Sequence, residues 1–332
     1  MELKGINKLN PETFEVVSHP PVSEIEIDSL TPAAVVWGRL LEEHPEILSV
    51  DIVHYPSQAH GFSNRYWIDT YPSVRAEEYL GRGLVPSASE PVQDCYAIGS
   101  LVGVTEGRDP HETRWGFKAS WMGDTWEMPK AFKAFVALDL ETRATEKTLE
   151  TILYPLSYIR SHWYLLQTDA SYHLVLDELV DPAKLPSVWA GFVDLLTPVS
   201  RWNESLGYLN CLRRRDVGDA IRQRSGDVAA LRRFAQELLP ELGHVDDSDK
   251  TKLTSLIDLR WLMHSLEELC DHLDGKRGNA GFLRLSGSKK HRRPPLLIAE
   301  KDSFGLKVFR PRSNIFMSEQ TEFNLDCDTC VL

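Results

Sequence analysis

From residue 131 onward the alternation of apolar and polar positions resolves into a regular series of elements. AFKAFVALDLET at 131–142 reads as a buried strand ending at a pair of carboxylates. TEKTLETILYPLSYI at 145–159 reads as a helix broken or bent near Pro155, whose ring cannot continue the hydrogen-bond ladder. WYLLQTDASYHLVLDEL at 163–179 has two apolar runs around a TDAS turn, the pattern of a hairpin. A helix follows from about Pro182 to Leu196, opened by Asp181 as its cap with proline just inside. Residues 200–250 read as polar helix, and 253–310 as an Asp258 segment, a helix, a basic strand and loop FLRLSGSKK, and the strands PLLIAEK and GLKVFR. Upstream, residues 1–110 are punctuated by proline and glycine, with a helix PAAVVWGRLLEEH at 32–44 and strand-like pieces SVDIVHY at 49–55 and CYAIGSLVGV at 95–104. The organisation expected is an N-terminal α/β region over 1–130, a core over 131–311 with a helical insert at about 200–250, and a tail over 312–332.

Composition narrows the class. With 332 residues, 42% hydrophobic and 26% charged, the chain can bury one large core or two modest ones without staples. Its longest apolar runs, FVALDL at 135–140 and PPLLIA at 294–299, fall far short of the roughly 20 residues that span a bilayer. The opening MELKG is charged and unlike a signal peptide. Five cysteines at 95, 211, 270, 327 and 330 make no disulfide framework. The expectation is an intracellular, cytoplasmic protein with no membrane segment, and Cys327 and Cys330 read as part of a frayed tail.

A net charge of −12 argues against coating nucleic acid with the whole surface. The distribution is uneven, however. Residues 275–299 contain no Asp or Glu but hold Lys276, Arg277, Arg284, Lys289, Lys290, Arg292 and Arg293, with His291 among them. Apolar positions alternate with Ser, Gly and cations there, as in a strand leading to a phosphate-contacting loop. A second cationic cluster, Arg213 to Arg215 with Arg222, Arg224, Arg232 and Arg233, is interrupted by Asp216, Asp219 and Asp227 and reads as helix surface.

Asp139 and Glu141 stand at i and i+2 on a strand and so share a face, where they can hold one divalent cation or two side by side. A cation pair that bridges a nucleotide's phosphates and a 3′-hydroxyl lowers the hydroxyl's pKa and steadies the departing pyrophosphate. Ser171 and His173 have the same spacing, and a hydroxyl with an imidazole can contact a triphosphate together. A carboxylate pair or a Ser/His pair is common when met alone.

The ordered series ALDLE at 137–141, SYH at 171–173, ID at 257–258 and FLRLSGSKKH at 282–291 resembles the archaeo-eukaryotic primase superfamily, including the primase-polymerases. The resemblance spans roughly 131–310. It implies an α+β fold with a primase-type core, in which a mixed, mainly antiparallel sheet forms an RRM-like palm flanked by helices. It implies that Asp139, Glu141 and a third carboxylate bind catalytic Mg²⁺ or Mn²⁺, and that Ser171 and His173 contact the incoming nucleotide. The family pattern, which usually places this Asp about a dozen residues before the Arg strand, favours Asp271, 13 residues before Arg284, over Asp258, which lies 26 before it. Local pattern favours Asp258: apolar residues at 259, 262, 263, 266, 269, 270 and 273 mark a helix that would carry Asp271 in its last turn, while Asp258 closes LTSLI and can cap that helix. Asp258 is the residue taken here, with a simple helix cap as the competing role. Arg284, Ser286, Ser288 and Lys289 then face the nucleotide, and Lys290, His291, Arg292 and Arg293 contact a nucleic-acid backbone in a salt-dependent way. The implied activity is template-directed nucleotidyl transfer from NTPs or dNTPs on single-stranded DNA, with a helicase or another replication or defence protein as partner. The alternative is an inactive primase-fold module that binds nucleotide or nucleic acid within a larger assembly.

Overall fold

The computed structural model describes residues 22–55, 67–83, 95–105, 131–140, 144, 146–168, 171–196, 217–242, 257–276, 279–285 and 293–311. Over these the fold is α+β, a mixed and mostly antiparallel sheet flanked by helices. The strands are β1 (Val22–Ile27), β2 (Ile47–Tyr55), β3 (Trp67–Pro72), β4 (Cys95–Val104), β5 (Ala131–Leu140), β6 (Trp163–Gln167), β7 (Tyr172–Val180), β8 (Leu283–Arg284), β9 (Leu296–Asp302) and β10 (Gly305–Pro311). Their spatial order is β1-β10-β9-β6-β7-β5-β4-β2-β3, with β8 attached to β4. Among the described residues β1 and β10 run parallel and the other pairs antiparallel.

The helices are α1 (Ala33–Glu43), α2 (Ser73–Gly81), α3 (Glu146–Leu156), α4 (Leu185–Leu195), α5 (Val228–Leu238) and α6 (Leu259–Leu273), with a further helical stretch at 217–224. Aspartate side chains start α5, α6 and the 3-10 turn Pro182–Lys184 that leads into α4. Asp181 Oδ1 accepts from the Ala183 N–H, Asp227 Oδ1 from Ala230 and Asp258 Oδ1 from Trp261, each satisfying an amide the helix leaves unpaired. α3 passes through Pro155 only in its last turn and ends one residue later. α6 stops at Asp274, where Gly275 takes φ 75°, the left-handed conformation that suits a residue just past a helix.

Residues 22–104 do not form a separate sheet. β4 joins β5 through Leu101↔Ala134 to Val104↔Ala131, and β1 joins β10 through Val22↔Leu306 to Ile27↔Pro311. Among the described residues a single cluster of buried apolar side chains runs from Ala33 to Val308, with Trp37, Phe135, Trp163, Trp189 and Phe192 among its largest members. Each such side chain contributes about 1.5–3 kcal/mol by burial. Trp37 meets Phe135 edge-on at 5.5 Å, which seats α1 on β5. α1 and α2 pack closely enough that a Cβ on Gly38 would lie 2.7 Å from the Gly81 amide nitrogen. Trp189 of α4 donates to Ala137 O on β5 at 3.1 Å and meets Trp261 of α6 edge-on at 6.1 Å. β5, which carries the first motif, is therefore held from its neighbours on all these sides.

The buried Lys301 of β9 donates from Nζ to Ile159 O at 2.5 Å, in the segment between α3 and β6. Arg222 bonds Asp194 and Asp219, and Arg232 bonds Asp271 and Asp274, so these two cations tie helices together. No helix among the described residues is long and apolar enough to cross a membrane.

Candidate nucleotide and metal site

The last two residues of β5 lie between two different segments. On one side β7 runs antiparallel, with Asp139 directly opposite His173 and Leu140 opposite Tyr172. Side chains of directly paired residues project to the same face of a sheet. His173 Nε2 stands 3.8 Å from Asp139 Oδ1, a contact too long for a hydrogen bond. On the other side, Leu140 forms a bridge to Ile257, and the Asp258 N–H donates to Asp139 O at 2.9 Å. β4 leaves room for this second neighbour because it pairs with β5 only over Ala131–Ala134.

Three of the predicted residues thus meet at one end of one strand. Asp139 comes from β5, His173 from β7 and Asp258 from the segment that caps α6. Asp258 Oδ1 accepts from the Trp261 N–H, and no hydrogen bond to its other carboxylate oxygen is seen among the described residues. Asp271 is differently placed: it lies in the last turn of α6, its carboxylate bonded to Arg232 at 2.8 Å and to Lys276 at 3.1 Å. No described contact joins it to Asp139.

His173 is the most unusual group of the set. It is 5% exposed, and its Nδ1 has no hydrogen-bond partner among the described residues. Burial, helped by the positive charge of Arg284, pushes its pKa down to about 3. The ring is therefore neutral at pH 7, so its contact with Asp139 is not an ion pair. A neutral imidazole offers one donor and one acceptor, and an orphaned polar atom so deeply buried costs about 1–3 kcal/mol if nothing bonds it.

Arg284 lies on β8, opposite Ala97 of β4. Ser171 closes the β6–β7 turn: its N–H donates to Thr168 Oγ1 at 2.8 Å, its hydroxyl is 3.1 Å from the same oxygen, and its carbonyl accepts from the Thr168 N–H at 2.9 Å. Its hydroxyl is thus engaged within the turn. Arg293 is exposed and precedes β9. Glu141, Ser286, Ser288, Lys289, Lys290, His291 and Arg292 lie outside the described residues. Among the described residues, Asp139, His173 and Asp258 included, no group of three or more His, Cys, Asp or Glu side chains is arranged to hold a metal ion.

Sequence patterns did not single out Asn279, which is buried against β4 just before β8. The only hint in the chain was the pair of glycines around it in GNAG. No family model, curated protein or solved structure matches the chain.

Proposed function

We propose that the chain is a metal-dependent, template-directed nucleotidyltransferase of the primase type. The observation that carries this reading is the meeting of Asp139, His173 and Asp258 at the end of β5, from segments 34 and 85 residues apart in sequence. They are three of the residues on which the sequence resemblance rests.

In this reading Asp139 and Asp258, with Glu141, would hold Mg²⁺ or Mn²⁺, which when bound would supply positive charge for activating a 3′-hydroxyl and for steadying a departing pyrophosphate. The other carboxylate oxygen of Asp258 would be the ligand, since the cap uses only Oδ1. The neutral His173 donates a hydrogen bond to a phosphate oxygen, and Arg284 brings a fixed positive charge from β8. Ser171, Ser286, Ser288 and Lys289 complete the contacts to the triphosphate. Lys290, His291, Arg292 and Arg293 hold the backbone of a single-stranded DNA template. Catalysis comes from positioning and charge neutralisation, without a covalent intermediate.

Purified protein incubated with Mn²⁺ or Mg²⁺, labelled NTPs or dNTPs and single-stranded template is expected to yield extended products, and Asp139→Ala to abolish them. Absence of product from the unaltered protein with every metal, nucleotide and template would overturn the enzymatic reading. Nucleotide binding retained in that case would favour a binding module instead.

A further inference from the structure

Asn279 is 1% exposed, and a buried amide is tolerated only when its polar atoms are bonded. Its Nδ2 donates to Asp51 Oδ2 of β2 at 2.9 Å and to Leu101 O of β4 at 3.3 Å. Its Oδ1 accepts from the Leu101 N–H at 3.1 Å and from the Ala280 N–H at 2.7 Å. Asp51 in turn takes the Thr70 hydroxyl of β3 on its other oxygen, at 2.6 Å. The fit leaves no spare volume: a Cβ on Gly99 would lie 2.3 Å from Asn279 Oδ1. A Cβ on Gly281, which has φ 64°, would lie 2.6 Å from Ser100 Oγ. Ser100 donates its N–H and its hydroxyl to Ala280 O at 2.8 and 2.6 Å.

The chain that leaves this clamp leads directly to the candidate site. Trp261 Nε1 donates to Phe282 O at 2.9 Å, Arg284 pairs with Ala97, and the Leu285 N–H donates to Tyr96 O at 2.8 Å. β8 is only two residues long, so its own ladder gives little hold on register. A slip of one residue would put Leu283 or Leu285 where Arg284 stands, since alternate strand residues face opposite sides.

We propose that Asn279 is a positioning residue for nucleotide binding: by clamping residues 279–281 onto Asp51 and the Gly99–Leu101 stretch of β4, it sets the register of β8. That register decides where the Arg284 guanidinium meets the phosphates of a nucleoside triphosphate. The ligand in this proposal rests on the nucleotidyltransferase reading. The clamp needs a side chain that donates to a carboxylate and a carbonyl while accepting from two amides, which an asparagine amide does and an aspartate does not.

The test uses the full chain with Mn²⁺, template and labelled nucleotide, and reads KM and kcat of extension together with the nucleotide Kd. Asn279→Ala is expected to raise the nucleotide KM about tenfold, with a smaller change in kcat. Combined with Arg284→Ala it should be no worse than Arg284→Ala alone, because both act through one contact. Asn279→Asp, which sets two carboxylates against each other, should be worse than Asn279→Ala. Adding Asp51→Asn restores a donor facing an acceptor on the Asp51 side, though a carboxylate still faces Leu101 O, and should recover part of the affinity lost in Asn279→Asp, which also guards against variants that merely fail to fold. Additive losses, an unchanged KM in a folded Asn279→Ala, or a swapped pair that folds but recovers nothing would overturn the positioning role while Arg284→Ala still weakens binding. An unaltered protein that neither binds nor incorporates nucleotide brings down the functional reading and this proposal together.

Discussion

Replacing Asp258 by asparagine and, separately, by alanine pulls apart two roles of one carboxylate. Its Oδ1 accepts from the Trp261 N–H at 2.9 Å and caps α6, while its main-chain N–H bonds Asp139 O at 2.9 Å in a way no side-chain change removes. Alanine forfeits the cap, a loss of about 1 kcal/mol within a range of about 0.5–2. Asparagine caps about as well as aspartate, so it forfeits only the attraction between a negative charge and the helix N-terminus, about 0.3–1 kcal/mol. For a chain of this size about 1 kcal/mol lowers Tm by about 2 °C. Thermal unfolding followed by tryptophan fluorescence should therefore rank the two variants, alanine below asparagine, both close to the parent. Extension should rank them differently. An amide oxygen carries no net charge and holds a divalent cation poorly, so both variants are expected to lose product formation alike. Full extension by Asp258→Asn, with only the small loss of stability in Asp258→Ala, would show that the residue is a helix cap and nothing more.

Gly38→Ala is expected to destabilise the fold, because the new Cβ would meet Gly81 backbone at 2.7 Å and neither helix can yield without separating. Overpacking of this kind costs about 1–3 kcal/mol, against at most about 1 kcal/mol gained in helix propensity. A urea midpoint that stays level or rises would refute the close approach of α1 and α2. His44 supplies a pH dependence. Burial opposes its protonation, but hydrogen bonds to Asp177 at 2.7 Å and Glu46 at 3.1 Å outweigh that and raise its pKa above 6.5. Its charged form is thus favoured by folding, so the contribution is present in full below the unfolded pKa and is lost as pH rises through the folded one. Urea unfolding from about pH 6 to about pH 9 should show stability falling with pH, and His44→Gln should flatten that slope. An unchanged slope would remove His44 from the account.

Much of the local structure was legible in the chain. The helix α1, the hairpin of β6 and β7, Asp181 as the cap before α4 and Asp258 as the cap of α6 all follow from interactions within a few residues. Such interactions leave a periodic trace, or a short polar residue at a fixed offset from an apolar run. The trace also assigned Asp271 to the last turn of a helix, where Arg232 and Lys276 now hold it.

What the sequence could not decide is which distant residues become neighbours. Nothing in the order of the strands along the chain states that β5 lies between β7 and the Ile257–Asp258 bridge, or that strands from residues 22–104 extend the sheet of the core. The pairing of Asp139 with His173 depends on a register that the β5–β7 irregularity between Phe135 and Ala137 shifts midway. The neutrality of His173 comes from burial by the whole fold and from Arg284, 111 residues away in sequence. Asn279 makes the same point, since its meaning lies in Asp51 and Leu101 and in the missing Cβ of Gly99. Local propensity writes helices and strands into the sequence because its causes are near neighbours. Register, burial and charge environment arise only when remote segments exclude water from one another, and those contacts define the candidate site.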